Sequence, residues 1–416
     1  MDHAQIFVYL AIAAGFYMAW AIGANDVANA MGTSVGSKAL TLRGAVVVAA
    51  VFEFSGAIFA GGNVTETIRK GIIDPAAVSA NPAYLVYGML AALLAAGTWL
   101  LIATSAGWPV STTHSIVGSV VGFAAAGLGL DAVHWGKVGQ IAASWVTSPL
   151  VAGVVAFALF TLVQRTILEQ EDPFRQAQFY APFYIFGVAL VLALLTSFKG
   201  LSHLHLKLSP WQALGVASTI GVVATAVGTV FIRRIHVDPA ADRDFHYTNV
   251  ERVFAVLQVC TACAVAFAHG SNDVANAVGP LAAVVNVAAT GEVTQSSLVP
   301  AWVMVLGGAG ILVGLATWGY KIIETVGRKI TELTPTRGFS AELAAAVTIV
   351  FASVTGMPVS TTHTLVGAVL GVGLARGIGA IDLRVIGGIL VSWLVTLPAG
   401  ALLATFFFFF FKGVFS

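Results

Sequence analysis

An α-helix needs about 20 apolar residues to cross a bilayer, and this 416-residue chain supplies such runs one after another. Candidate spans cover residues 4 to 23, 44 to 63, 84 to 104, 138 to 164, 181 to 198, 211 to 232, 253 to 271, 298 to 320, 341 to 356 and 385 to 411, and two further apolar stretches, 109 to 130 and 358 to 375, open with proline. Lipid cannot satisfy backbone N–H and C=O groups, so only helices or a closed barrel can span it, and runs this long select helices. The expected fold is an all-α polytopic membrane protein of about 12 transmembrane segments. Charged residues make up 9% of the chain, 58% is hydrophobic and the mean hydropathy is +0.90, which leaves no soluble domain of useful size. A net charge of +1 excludes nucleic-acid binding through a basic face. Met1-Asp2-His3 has no basic region and no small-residue cleavage site follows the first apolar run, so that helix is expected to be retained.

The chain repeats itself. Asn25 returns as Asn272, Pro109 as Pro358 and Ser144-Trp145 as Ser392-Trp393, at offsets of 247, 249 and 248 residues. We therefore divide it into a first repeat (residues 1–165), a central helix pair with a loop (166–249) and a second repeat (250–416). Lysines and arginines collect in cytoplasmic loops. Residues 233 to 252 carry Arg233, Arg234, Arg243 and Arg252, and residues 321 to 337 carry Lys321, Arg328, Lys329 and Arg337, whereas the loop around Glu292 has none. Counting crossings from those loops turns the two repeats upside down relative to each other, with Arg69 and Lys70 as the one dissenting pair, offset by Glu66 and Asp74. Inverted repeats are a common construction of secondary transporters, with the binding site near the midplane. Forty-four glycines favour close helix packing in lipid. The run Phe406 to Phe411 reads as a lipid-facing helix end, and Cys260 and Cys263, on adjacent turns of an apolar stretch, read as packing residues.

Two motifs carry chemistry, and each occurs twice. Gly23-Ala24-Asn25-Asp26-Val27-Ala28-Asn29 recurs as Gly270-Ser271-Asn272-Asp273-Val274-Ala275-Asn276. A carboxylate at bilayer depth costs several kcal/mol and normally faces a cavity, a partner or an ion. Asn25, Asp26, Asn272 and Asp273 are the candidate Na⁺ ligands, with Asn29 and Asn276 one turn further on, all offering hard oxygen atoms. The second motif, Pro109-Val110-Ser111-Thr112-Thr113-His114 and Pro358-Val359-Ser360-Thr361-Thr362-His363, has the grammar of a helix start. Ala106-Gly107 and Thr355-Gly356 are natural stops for the preceding helices. A helix beginning inside a membrane presents free N–H groups carrying roughly half a positive charge, which together with hydroxyls suits a tetrahedral oxyanion such as phosphate. Ser111, Thr112, Thr113, Ser360, Thr361 and Thr362 are the candidate phosphate ligands. Bound cations lower the cost of bringing that anion into a low dielectric, so the two should bind cooperatively.

Blander readings stand beside these. Interhelical hydrogen bonding would account for the Asn-Asp pairs, and capping at a kink for the helix starts. His114 and His363 fit capping or packing as well as proton handling. Glu53 fits a cation site, yet the second repeat has no matching acid near residue 300, and Glu66 precedes Arg69 at helical spacing and fits a plain ion pair. A serine hydrolase built on Ser111 or Ser360 is disfavoured, because the histidine is only three residues away and no acid is placed to orient it. A passive channel is disfavoured by sites that hold cation and anion together.

These motifs resemble those of the inorganic phosphate transporter (PiT) family, over nearly the whole chain. The resemblance rests on both Asn-Asp runs, His269 and Gly279-Pro280 around the second of them, and both Pro-Val-Ser-Thr-Thr-His runs, while Glu66-Thr67-Ile68-Arg69-Lys70-Gly71-Ile72 is similar to the sodium-dependent branch. It implies secondary active import of phosphate at the cell membrane, Na⁺ as coupling ion with H⁺ as the alternative, no cofactor, broken or re-entrant helical hairpins at the site, and a homodimer. A proton-coupled symporter of phosphate or metal-phosphate, or a related sulfate permease, is the competing expectation. The loop near residues 233 to 250 is short compared with eukaryotic members, so regulation through a long loop is not expected.

Overall fold

Helices account for the architecture of the computed structural model, which describes residues 3–79, 81–199, 208–235, 247–293, 299–320, 322–323, 333–377 and 383–415. In chain order they are α1 (Ala4–Gly36), α2 (Leu42–Ala60), α3 (Gly62–Lys70), α4 (Pro75–Ser79), α5 (Pro82–Ser105), α6 (Thr112–Gly127), α7 (Trp135–Val163), α8 (Pro173–Lys199), α9 (Pro210–Arg233), α10 (Thr248–Thr290), α11 (Ala301–Gly314), α12 (Pro335–Val354), α13 (Thr361–Arg376) and α14 (Leu383–Phe415). Short π-helical turns, Gln164–Leu168 and Leu315–Gly319, extend α7 and α11. Among the described residues β structure is limited to one isolated bridge between Ile73 and Val133. Among the described residues ten helical segments are long and apolar enough to cross a membrane. The two proline-led helices, α6 and α13, have 16 residues each, roughly 24 Å, and start in the interior instead of at a surface.

Two boundaries differ from the sequence reading. The apolar runs that end at residues 23 and 271 continue as helix, α1 to Gly36 and α10 to Thr290. The polar motif and Pro280 interrupt the hydropathy but not the backbone, because the Asn and Asp side chains find partners on other elements. At 43 residues α10 is roughly 64 Å long, about twice the hydrocarbon thickness. Much of the two basic loops used for orientation lies outside the described residues, as do the side chains of Arg69 and Lys70.

Glycine decides how closely the helices cross. The motif glycines Gly23 and Gly270 each lie on the backbone of another helix: a Cβ on Gly23 would meet the Ile311 carbonyl of α11, and one on Gly270 would meet the Glu53 carbonyl of α2. The contact is mutual, since Gly314 faces the Trp20 carbonyl and Gly56 the Phe267 carbonyl. Helices α6 and α13 cross in the same way. Gly118 and Gly122 of α6 lie on Leu397 and Ala401 of α14, and Gly367 and Gly371 of α13 lie on Pro149 and Gly153 of α7. Each short helix thus packs on the long helix that follows its counterpart, and small residues one turn apart set the approach. Between α2, α8, α9 and α10 lies a cavity of about 750 Å³, lined by Phe52, Leu192, Ile220, Phe231 and Phe267 and by Cys260 and Cys263. Its lining holds no charged side chain, so an anion does not belong there, and the cysteines sit in apolar surroundings as expected.

Candidate functional site

The site is built on two interrupted hairpins, α5–α6 and α12–α13. Helix α5 stops at Ser105 and Gly107 takes a left-handed φ of 70°, and at the equivalent place beyond α12 Gly356 has φ 73°. Both glycines are positions where a Cβ would be strained. Ser111 and Ser360 then cap the new helices, each hydroxyl accepting from the histidine N–H three residues on at 3.2 Å. Asn25 and Asn272 brace the breaks. Asn25 Nδ2 donates to Thr104 Oγ1 (2.8 Å) and the Trp108 carbonyl (3.2 Å), while its Oδ1 accepts from Val110 N at 3.3 Å. Asn272 Nδ2 donates to Ser353 Oγ (3.1 Å) and the Met357 carbonyl (3.2 Å).

The hairpin tips meet on the aspartates. Asp26 accepts from Thr112 of the first tip at 2.7 Å and from Thr362 of the second at 2.5 Å. Asp273 accepts from Thr113 at 3.2 Å and from Thr361 at 2.8 Å. Each carboxylate therefore holds one hydroxyl from each tip. The tips also touch directly, Thr113 Oγ1 donating to the Val359 carbonyl at 2.9 Å. Asn276 Nδ2 sits between them, 3.1 Å from Asp273 Oδ1 and 3.2 and 3.3 Å from the hydroxyls of Thr112 and Thr113. Of the six serines and threonines expected to bind an anion, four face the carboxylates and the two serines serve as caps.

Sequence reasoning missed His269 as a site residue. Its Nε2 lies 3.1 Å from Asp273 and 3.7 Å from Asp26, and its Nδ1 lies 3.1 Å from both oxygens of Glu53. The signal was present: His269 precedes Asp273 by one helical turn. It also explains why Glu53 has no counterpart in the second repeat. Its partner is equally unrepeated, with Ile22 at the matching place in the first repeat, so the two unmatched residues pair with each other. Glu53, Asp26 and Asp273 bring three negative charges against one imidazole; with all three ionised and His269 protonated these four groups still carry −2. Asp26, His269 and Asp273 place ligand atoms within 4.8 Å of one another, close enough to share one cation. Asn276, whose Nδ2 lies beside Asp273, has its Oδ1 buried without a hydrogen bond, an oxygen of the kind hard cations take; Asn272 Oδ1 is likewise buried without one, on a side chain held at the break by Ser353 and Met357.

The remaining candidates are placed as follows. Glu66 is exposed on α3, outside the cluster. The side chain of Asn29 lies outside the described residues. His114 and His363 face each other where the tips meet, with ring centroids 4.3 Å apart. A second buried carboxylate, Glu342 on α12, is enclosed by the hydroxyls of Thr33, Ser34 and Thr261 at 2.6 to 2.7 Å and by Gln258 at 3.0 Å. The cavity at the cluster, lined by Asp26, Ala30, Val265, His269, Ile349, Thr361, Thr362 and Leu365, measures about 10 Å³, the space of one water.

Known proteins of similar sequence and shape are alike along almost their whole length. Residues 22–404 match the model of the phosphate transporter family. A Haemophilus influenzae protein named "Putative phosphate permease" is 46% identical over 410 residues, covering 98% of this chain and 97% of that one. A Pyrococcus abyssi protein of the same name is 48% identical over 401 residues, 96% of each chain. A solved structure named "The sodium-dependent phosphate transporter" superposes with a TM-score of 0.91 at 39% identity, over 98% of this chain and 100% of that one. On sequence and fold together, the chain belongs to the phosphate transporter family.

Proposed function

We propose that this protein is a secondary active transporter that imports inorganic phosphate across the plasma membrane with Na⁺, by alternating access between two inverted repeats. The observation that carries the reading is the reciprocal sharing of Thr112, Thr113, Thr361 and Thr362 between Asp26 and Asp273. Those hydroxyls are the donors a tetrahedral anion would use, and the closed tips give them to the chain's own carboxylates. A cavity of about 10 Å³ admits no phosphate, so the tips part when one binds. The hydroxyls then turn to the anion and the carboxylates lose their donors in a low-dielectric interior, which is costly unless a cation takes their place. Phosphate and Na⁺ thereby support each other's binding, and the support is reciprocal. The sodium dependence named for the similar solved structure and the phosphate permease names of the relatives support the same assignment. The division into residues 1–165, 166–249 and 250–416 follows from the paired motifs, and the family resemblance implies a homodimer.

Proton coupling is the second reading, favoured by one observation: His269 bridges Glu53 to both aspartates and is a group that can carry a proton. Uptake of labelled phosphate into proteoliposomes separates the two. An imposed Na⁺ gradient is expected to drive accumulation, whereas equal accumulation under a proton gradient without Na⁺ transfers the coupling role to H⁺ and leaves the substrate intact.

The caps give a smaller expected effect. Ser111→Ala or Ser360→Ala removes a cap worth about 1 kcal/mol, which loosens a tip and is expected to raise the KM for phosphate roughly fivefold at an undiminished protein yield. An unchanged KM in both variants would take the hairpin tips out of the phosphate site.

A further inference from the structure

His114 and His363 close the two repeated helix-start motifs, and neither the caps nor the carboxylate cluster needs their side chains. Both are almost fully buried, 4% and 2% exposed, and their rings meet edge to face at 4.3 Å and 81°. Each is backed by an indole, His114 by Trp145 of α7 at 3.8 Å and His363 by Trp393 of α14 at 3.3 Å, and Trp145 Nε1 also holds the Pro358 carbonyl of the second tip at 3.2 Å. Packing between indoles would be served as well by phenylalanine. Yet Nε2 of both rings is buried without a hydrogen bond, an arrangement that costs stability and calls for a reason. Here it occurs twice, in equivalent places, directly beside the threonines of each tip.

We propose that this imidazole pair selects the anion by its proton, favouring a tetrahedral oxyanion that still carries an O–H. The proposal rests on the phosphate reading above and deepens it. The Thr113–Val359 and His114–His363 contacts both join the tips, so the parting that admits an anion between them frees both and leaves the two rings at the edge of the space opened. Threonine hydroxyls donate to any oxyanion and so do not tell phosphate from sulfate. A neutral imidazole offers one acceptor and one donor. Its acceptor is satisfied by phosphate, which keeps at least one proton near neutral pH, and is left facing a bare oxygen by sulfate, which has none. Asp26 and Asp273 also accept, but they are shared among four threonines and His269; the unbonded Oδ1 atoms of Asn276 and Asn272 belong to side chains held at Asp273 and at the Ser353–Met357 break, which leaves the imidazoles as the unbonded acceptors that themselves join the two tips.

The test is competition against labelled phosphate uptake in proteoliposomes near neutral pH, using unlabelled phosphate, sulfate and monofluorophosphate, the last replacing one phosphate O–H by fluorine. Wild-type protein is expected to take phosphate roughly ten- to a hundredfold better than either competitor. His114→Phe and His363→Phe keep the stack on tryptophan and are expected to raise the KM for phosphate while leaving inhibition by monofluorophosphate unchanged, narrowing the preference to within about threefold. Glutamine at either position restores an acceptor and is expected to recover it. Equal acceptance of monofluorophosphate by the wild type overturns the proposal without any variant, and so does an unchanged preference in reconstituted phenylalanine variants. A wild-type protein that moves no phosphate overturns the transport reading itself, and this inference with it.

Discussion

Asp26→Asn or Asp273→Asn is expected to lower Na⁺-driven phosphate uptake roughly ten- to a hundredfold while the protein still folds and reconstitutes. Each carboxylate accepts two threonine hydroxyls, one per tip, and hydrogen bonds to a charged group are worth about 1.5–3 kcal/mol each. An asparagine keeps the shape and one acceptor, so the closed tips survive: one threonine turns its hydroxyl to accept from the new amide instead of donating. What is lost is charge. With His269 protonated the four clustered groups fall from −2 to −1, and the oxygen best suited to a hard cation becomes a neutral amide. Initial uptake rates measured against Na⁺ concentration check this, and an unaltered Na⁺ dependence in both variants would remove the aspartates from the cation site. Glu53 and His269 stay paired in either variant, which confines the change to the shared cluster.

The second large effect is on assembly. Gly23→Ala and Gly270→Ala each put a methyl group where the carbonyl of another helix already lies, Ile311 for the first and Glu53 for the second. Backbone cannot turn aside as a flexible side chain can, so α1 and α11, or α2 and α10, must move apart, at a cost of about 3 kcal/mol. The Gly270 displacement carries a further penalty, because it separates Glu53 from His269. A lower melting temperature and a reduced yield of monodisperse protein in detergent are expected for both, with phosphate uptake falling further in Gly270→Ala than in Gly23→Ala. Wild-type stability in both would mean that the helix crossings tolerate more separation than their geometry allows. Glycines in these motifs are therefore packing residues that let the neighbouring Asn and Asp reach the tips.

Sequence alone carried the interruptions of the hairpins and little of what holds them. Ala106-Gly107 with Pro109 and Thr355-Gly356 with Pro358 announced a stop and a restart, and the left-handed glycines lie there. The continuation of α1 and α10 through the Asn-Asp motifs was hidden, since hydropathy registers polar residues and not the partners that satisfy them. The division of labour inside the motif was hidden for the same reason. Asn25 and Asp26 are neighbours in sequence but lie about 100° apart around α1, so one reaches the break at Trp108 and the other reaches both tips. His269 was passed over because an imidazole in an apolar run has no periodic signature, and its importance depends on Glu53 from a separate helix.

The crossed bonding of the threonines has a mechanical outcome. Releasing Asp26 loosens Thr112 of one hairpin and Thr362 of its counterpart together, and releasing Asp273 does the same for Thr113 and Thr361. Withdrawing either tip therefore takes one hydroxyl from each carboxylate and breaks the Thr113–Val359 bond as well, so both aspartates register the departure of a single hairpin. On the transport reading proposed above, an ion moving without its cargo would have to part these contacts with nothing to replace them, which penalises slippage.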